Sequence, residues 1–515
     1  MTCPARRTRS ARGTAPGAAL VFAALLAPLP APGGGQDAAP PRPETRRPHV
    51  LFISVDDLND WVGPLGGHPL ARTPNFDRLA ARGVAFLNAH CQAPLCNPSR
   101  TSVLTGLRPT TTGVYALEPW FRSSPALQDR VTLPQHFSRH GYRTITTGKI
   151  WHDAYPPAAA REDGSEFDVW GTQGGFRPLP DRKLVDTPSE MRLVDWGIYP
   201  EKDEETFDWN VTSYAVSQLS QWKDGPPVLL CVGLRHPHLP CFAPGPWFDL
   251  YPDDDSVLPA LLPGDRSDVP AFAWRLHWKL PEPRLTWLQE NQQWQPLARA
   301  YLASVSFADA MLGRILDALS ANDLEDDTLV VLWSDHGWHL GEKDISGKNT
   351  LWERSTRVPL FITGPGLPQG AVCRQPVELL DLFPTLIDLC GLPAPAQPLE
   401  GHSLTSLLLD GPDASRPWPA ITSHGPGNHA IRTRTHRLIR YADGSRELYD
   451  LSTDPHEWRN LLPGGEDLAA ELERWIPPHP ADPLPGSRSR LIEVRDGTVY
   501  WEGEPVSPES PPPQD

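Results

Sequence analysis

The chain has 515 residues, 39% of them hydrophobic, with 61 prolines, 19 tryptophans and a formal charge of −16 at neutral pH. That length supports one large core with a smaller companion, the prolines exclude an architecture of long helices, and the acidic balance excludes a general binder of nucleic acid or other polyanions. An anionic substrate would have to be met by a local cationic pocket.

At the N-terminus, Arg6, Arg7, Arg9 and Arg12 precede an apolar stretch, residues 18–26, and then a zone rich in Pro, Gly and Ala, residues 27–43. Basic, apolar and small residues in that order make an export signal, so residues 1–36 are assigned to a leader and the protein to the periplasm or the extracellular space. Arg6-Arg7 hints at a twin-arginine route. The apolar part is short for a bilayer span, which leaves a retained anchor as the lesser alternative. No other integral membrane span is expected. Losing the leader removes four arginines and no acids, which takes the charge from −16 to −20.

Residues 49–55 form a short apolar run rich in β-branched side chains that stops at Asp56-Asp57. Residues 228–233, ahead of His236 and His238, read the same way. So do residues 328–333, ahead of Asp335-His336, residues 358–363, and the shorter run 143–147 ahead of Gly148-Lys149. Helical patterns lie between them at residues 73–83, 300–319 and 384–390. Strands alternating with helices predict an α/β fold, a large mixed sheet flanked by helices over residues 47–412, with polar clusters where such sheets place their sites. From about Pro417 the character changes. Residues 429–435, 436–441 and 447–451 read as short strands, Asp443-Gly444 as a hairpin turn and residues 466–475 as a helix. They predict a small antiparallel C-terminal subdomain, residues 413–504, followed by a disordered tail, residues 505–515.

Cys3 would leave with the leader, and the other cysteines are Cys91, Cys96, Cys231, Cys241, Cys373 and Cys390. A Cys373–Cys390 disulfide is one option, but connectivity is not fixed by sequence. Asp56, Asp57, Asp335 and His336 concentrate carboxylates at two strand ends, as a divalent cation would require. Arg100, Lys149 and Lys348, each read alone, are ordinary solvated cations; the family resemblance given next is what places them around an anionic group. The most specific stretch is Cys96-Asn97-Pro98-Ser99-Arg100, continuing to Leu104-Thr105-Gly106. A buried thiol or disulfide partner is the plain alternative for Cys96.

That run, Cys-x-Pro-Ser-Arg-x-x-x-Leu-Thr-Gly, resembles the signature of the type I sulfatases. Pro237-His238-Leu239-Pro240 is similar to their Pro-His-x-Pro element, and Glu447 to Leu451 with Asp454-Pro455, Glu457 and Asn460-Leu461 to their end motif. The nearest subgroup is the iduronate-2-sulfatase-like enzymes. The spacing of Lys149 and His152, Asp335-His336 in place of Asp-Asn, and the segment Ala303 to Asp309 point there. The resemblance implies an alkaline-phosphatase-like fold and hydrolysis of sulfate monoesters. It implies a sulfated carbohydrate as substrate, of the uronate-2-sulfate kind. It also implies a maturation enzyme that oxidises Cys96 to formylglycine, and one divalent metal, Ca2+, held by Asp56, Asp57, Asp335, His336 and position 96. A nitrogen ligand such as His336 is less natural for calcium.

In the implied cycle the hydrate at position 96, activated by Asp335 and the metal, attacks sulfur. His238, with Lys348, protonates the departing alcohol. His152 then takes the remaining hydroxyl proton, and Arg100 and Lys149 orient the hydrate. Two alternatives stand beside this one. The first is a phosphomonoesterase or phosphonate monoester hydrolase of the same superfamily. The second is a non-catalytic carbohydrate-binding relative using Trp170, Trp196, Trp209, Trp274, Trp278 and Trp287. Residues 153–208 and 242–294 are expected to shape the pocket rim.

Overall fold

Strand His49–Val55 (β1) is central because its side chains alternate between two hydrophobic cores. Leu51, Ile53 and Val55 enter one core, and Val50 and Phe52 the other. A strand buried on both faces reads as the continuous apolar run seen in the sequence. The computed structural model describes residues 47–506 except 154, 163, 174, 223 and 224. The leader with Cys3 and residues 507–515 of the expected tail lie outside the described residues.

Eight strands make the main sheet, numbered here in chain order. After β1 come β2 (Val84–Phe86), β3 (Arg143–Gly148), β4 (Val169–Gln173), β5 (Val228–Leu234), β6 (Thr328–Ser334), β7 (Leu360–Thr363) and β8 (Ala371–Cys373). Their spatial order is β8-β2-β7-β6-β1-β5-β3-β4. β1 lies parallel between β5 and β6, while β7 runs antiparallel to both β6 and β2. The run expected at residues 358–363 is therefore two short strands, Arg357–Val358 and Leu360–Thr363, broken at Pro359, which has no N–H for a ladder.

Helices cover both faces. Pro74–Ala81 (α1), Phe207–Leu219 (α3) and Trp294–Ala321 (α4) pack in the core of Leu51 and Ile53. Cys96–Thr105 (α2) and Leu382–Leu389 (α5) pack in that of Phe52. The helix expected at residues 300–319 begins earlier, at Trp294. Pro296 falls in its first turn, where a missing N–H breaks no helical bond.

Toward the C-terminus a four-stranded antiparallel sheet runs in sequence order through Ala420–Ser423, His429–Arg432, His436–Arg440 and Arg446–Asp450. One face carries Ile421, Ile431, Leu438 and Leu448 against Ala469 and Leu472 of helix Glu466–Glu473 (α6). Ala430, Ile439, Tyr441 and Tyr449 pack with Ile345, Leu351 and Trp352. The second C-terminal sheet, Ile492–Arg495, Thr498–Trp501 and Glu504–Val506, was not foreseen and joins that same core. Residues 505–506 of the expected tail are thus the end of a strand. The described residues from 47 to 506 belong to one compact unit, within which we propose a subdomain boundary at residues 412–413. The six described cysteines are all buried and free, so no Cys373–Cys390 disulfide forms.

Glycine lets β3 and β5 meet closely enough to deliver Lys149. Gly148 has φ 75, and a Cβ there would lie 2.0 Å from the Gly233 carbonyl oxygen. A Cβ on Gly233 would lie 2.1 Å from the Lys149 carbonyl oxygen. A Gly233→Ala substitution is expected to cost about 3 kcal/mol through backbone displacement. Urea unfolding reads this as a lowered midpoint, and an unchanged midpoint would contradict the packing argument.

Candidate functional site

Four strand ends deliver the site. Asp56 and Asp57 follow β1, Asp335 and His336 follow β6, Lys149 follows β3, and Arg235, His236 and His238 follow β5. Cys96 is the first residue of α2. The motif around it has a physical reading. Pro98 sits in the first turn, whose N–H groups have no helical partner. Ser99 Oγ donates to the Asp335 carbonyl at 2.6 Å. Leu104 is buried in the core, and Gly106 closes the helix in the left-handed conformation, φ 69.

The Cys96 sulfur is the focus. It lies 3.1 Å from Lys348 Nζ, 3.2 Å from His336 Nε2, 3.6 Å from Lys149 Nζ and 4.0 Å from Asp57 Oδ1. His152 also helps to lower the thiol's pKa. Burial alone would raise the thiol's pKa. Lys149, Lys348 and His336 outweigh burial and hold it well below the usual thiol range. The contrast is with Cys91, Cys231 and Cys241, which burial pushes upward.

Arg100 is fully buried, and each of its three nitrogens has a partner. Its Nε donates to Asp335 Oδ2 at 2.8 Å and its Nη2 to Asp56 Oδ1 at 3.0 Å. Its Nη1 reaches the Lys149 and Ile150 carbonyls at 2.5 and 3.1 Å and Ser54 Oγ at 3.2 Å. Arg100 therefore ties the carboxylates of Asp56 and Asp335 together. Asp56 also accepts from Lys149 Nζ at 2.5 Å. Burial opposes its ionisation, but Lys149, His238 and Arg100 keep its pKa well below the ordinary range. Burial pushes Asp335 up to about 6, against the pull of Arg100.

Asp57, Cys96, Asp335 and His336, all buried, present ligand atoms within 4.8 Å of one another, as do Asp56, Asp57 and the half-buried His238. Asp57 Oδ2 is buried with no hydrogen-bond partner. His336 Nδ1 lies 3.1 Å from the Gly337 carbonyl, so Nδ1 carries the proton and Nε2 turns its lone pair to the cluster. Burial would lower the His336 pKa, but Asp335, Cys96 and Asp57 raise it. A divalent cation would take the place of that second proton. These donors fit a resident metal.

Sequence reading missed the supports. Tyr301, on α4, donates to the Asp57 carbonyl at 2.8 Å and accepts from Asn59 N at 3.0 Å. Asp153 holds Arg235 by both guanidinium nitrogens, at 2.5 and 3.1 Å. No motif marks these residues, because their partners are 80 or more positions away. His236 is bonded to Asp208 at 2.7 Å and to the Phe242 carbonyl at 2.9 Å. His339 is buried against Thr350 Oγ1 at 2.8 Å.

Two clefts open beside the sulfur. One contains Lys149, His152, Asp153, Tyr155 and Trp170, and the other His238, Phe207 and Phe242; Gly175 and Phe176 border both. The expected rim, residues 153–208, lines both clefts. Of residues 242–294, Phe242 lines the His238 cleft, while residues 253–255 line a separate groove. Of the named tryptophans, only Trp170 lines either cleft.

Residues 48–392 match the family model described as Sulfatase, and residues 341–476 match that of the N-sulphoglucosamine sulphohydrolase C-terminal region. A sulfatase of Formosa agariphila is 39% identical over 432 residues, 81% of this chain and 83% of that one. The iduronate 2-sulfatase of Mus musculus is 31% identical over 401 residues, 67% of this chain and 69% of that one. A solved phosphonate monoester hydrolase from Silicibacter pomeroyi superposes with a TM-score of 0.68 at 21% identity, covering 89% of this chain and all of that one. The fold is the alkaline-phosphatase-like one that sulfatases share.

In unconverted, metal-free protein, Cys96 is expected to ionise below the ordinary thiol range, since Lys149, Lys348 and His336 outweigh burial. The thiolate absorbance near 240 nm should appear at lower pH than for a free thiol, and that rise should move to higher pH in Lys348→Met. A Cys96 that ionises at or above the ordinary thiol value would contradict the charge balance.

Proposed function

This chain belongs to the sulfatase family and is a sulfuric ester hydrolase, and we propose that it removes sulfate from sulfated carbohydrates of the uronate-2-sulfate kind. The convergence of Lys348, His336 and Lys149 on the Cys96 sulfur carries this reading. In it, a maturation enzyme converts Cys96 to formylglycine, whose hydrate supplies the nucleophilic hydroxyl. Asp56, Asp57, Asp335 and His336, with position 96, would hold one divalent metal, Ca2+, which would supply positive charge for the sulfate oxygens.

Lys149 and Lys348 bind the sulfate and offset the charge that repels a nucleophile. His238 Nδ1 lies 2.5 Å from the Leu239 carbonyl, so that nitrogen carries a proton, and Nε2, 3.8 Å from Asp57 Oδ2, is free to serve the departing alcohol oxygen. His152, across the site beside Lys149, accepts the proton of the second hydroxyl. Arg100 positions Asp56 and Asp335 and, with Lys149, orients the hydrate. A leader that exports the chain is consistent with an extracellular or periplasmic polysaccharide substrate. No helix among the described residues is long and apolar enough to cross a membrane.

His238→Ala is expected to lower kcat about 10²- to 10⁴-fold on a sugar sulfate, whose alkoxide needs a proton. The loss on 4-nitrophenyl sulfate, whose leaving group is already stable, should be much smaller. Equal losses on both substrates would remove His238 as the acid. Parallel assays on 4-nitrophenyl phosphate test the phosphoesterase alternative, and a higher kcat/KM there would favour it. Prolonged dialysis against a calcium chelator should abolish turnover and lower the melting temperature, with Ca2+ restoring both. Full activity in verified metal-free protein would refute the metal assignment.

A further inference from the structure

The cleft on the His238 side is built differently from its neighbour. Phe176, Phe207, Phe242 and Pro240 wall it, and its lining contains no carboxylate. Its two guanidinium groups are Arg177 and Arg235. Arg235 is 4% exposed and stacked on the Phe176 ring at 3.9 Å. Both its terminal nitrogens are taken by Asp153, yet its buried Nε–H has no partner. Arg177 is exposed at the lip and forms no hydrogen bond or ion pair among the described residues. The nearest acids are already committed, Asp208 to His236 and to the Arg235 backbone N–H, and Asp153 to Arg235.

An apolar-walled cleft with an orphaned buried donor, an unpaired cation and no acid suits a planar anion on an otherwise hydrophobic ring face. It is the wrong environment for a quaternary ammonium, which aromatic rings attract but neighbouring guanidinium groups repel. Because His238 lines this cleft, it is where the departing alcohol would sit if His238 is its acid. We propose that the cleft is a subsite for a carboxylate carried by the leaving alcohol, bound by Arg177 and the Nε–H of Arg235. This deepens the functional reading above and rests on it. Specificity for an anionic sugar is then set by a lip residue apart from the sulfate-binding lysines.

The test compares kcat/KM for the methyl glycoside of a 2-sulfated uronate with that for its neutral methyl ester, using full-length, formylglycine-bearing enzyme. The wild type should prefer the acid. In Arg177→Ala the acid-to-ester ratio should fall about 10- to 100-fold, and Arg177→Lys should recover part of it, since it keeps the charge without the fork. The ratio is internal to each variant, so partial misfolding cannot produce the result. A wild-type ratio near one, a ratio unchanged in Arg177→Ala, or faster turnover of choline sulfate than of the acid would overturn the subsite. So would turnover of 4-nitrophenyl sulfate with neither sugar accepted, and each of these leaves the sulfatase reading intact. No turnover of any sulfate ester would instead remove the reading on which the subsite rests.

Discussion

A single guanidinium with no access to solvent holds the centre together. Arg100 joins Asp56 at the end of β1 to Asp335 at the end of β6, and its remaining donors fix the Lys149 and Ile150 carbonyls beyond β3. Three strands that approach from distant parts of the chain are thus cross-tied one helical turn below Cys96. Charges so deeply buried are stable only while all are paired, and removing one partner of such a set typically costs about 3–5 kcal/mol. The tie also explains why the carboxylates can crowd together. Arg100 and Lys149 compensate Asp56, whereas Asp57 Oδ2 stays without a hydrogen-bond partner beside the sulfur.

The rest of the fold works to keep that crowded group in register. Close glycine contacts between β3 and β5 set the height of Lys149, and Tyr301 reaches across from α4 to hold the Asp57 backbone. The C-terminal sheets contribute at a distance. They pack on Ile345, Leu351 and Trp352, which bracket Lys348 in sequence, and Arg437 donates to the Leu351 carbonyl at 2.7 Å. Lys348 therefore stands on a loop that the end of the chain completes. Phe176 borders both a polar cleft with His152 and an aromatic one with His238, so the two histidines face separate spaces.

Much of this was legible because strand ends are marked twice, by an apolar run and by the charged pair that stops it. Asp56-Asp57, Asp335-His336 and Gly148-Lys149 all lie where that pattern places them. Side-chain direction was not legible. Arg100 reads as one more cation near an anion, and only three-dimensional packing turns it inward to carboxylates 44 and 235 residues away. The disulfide option failed for a related reason, since buried cysteines behave as small apolar residues in the core. Strands 492–495, 498–501 and 504–506 were missed because turn-rich, weakly apolar sequence becomes a sheet only against a core supplied from elsewhere.

The central claim is that position 96 acts as an oxidised side chain within a cationic, metal-binding pocket. Its most direct test measures hydrolysis of a sugar sulfate in preparations with graded conversion of Cys96, quantified by mass spectrometry of the peptide that contains it. Activity should rise in proportion to the formylglycine fraction and extrapolate to near zero for the pure thiol. Equal activity in fully thiol protein would contradict the account.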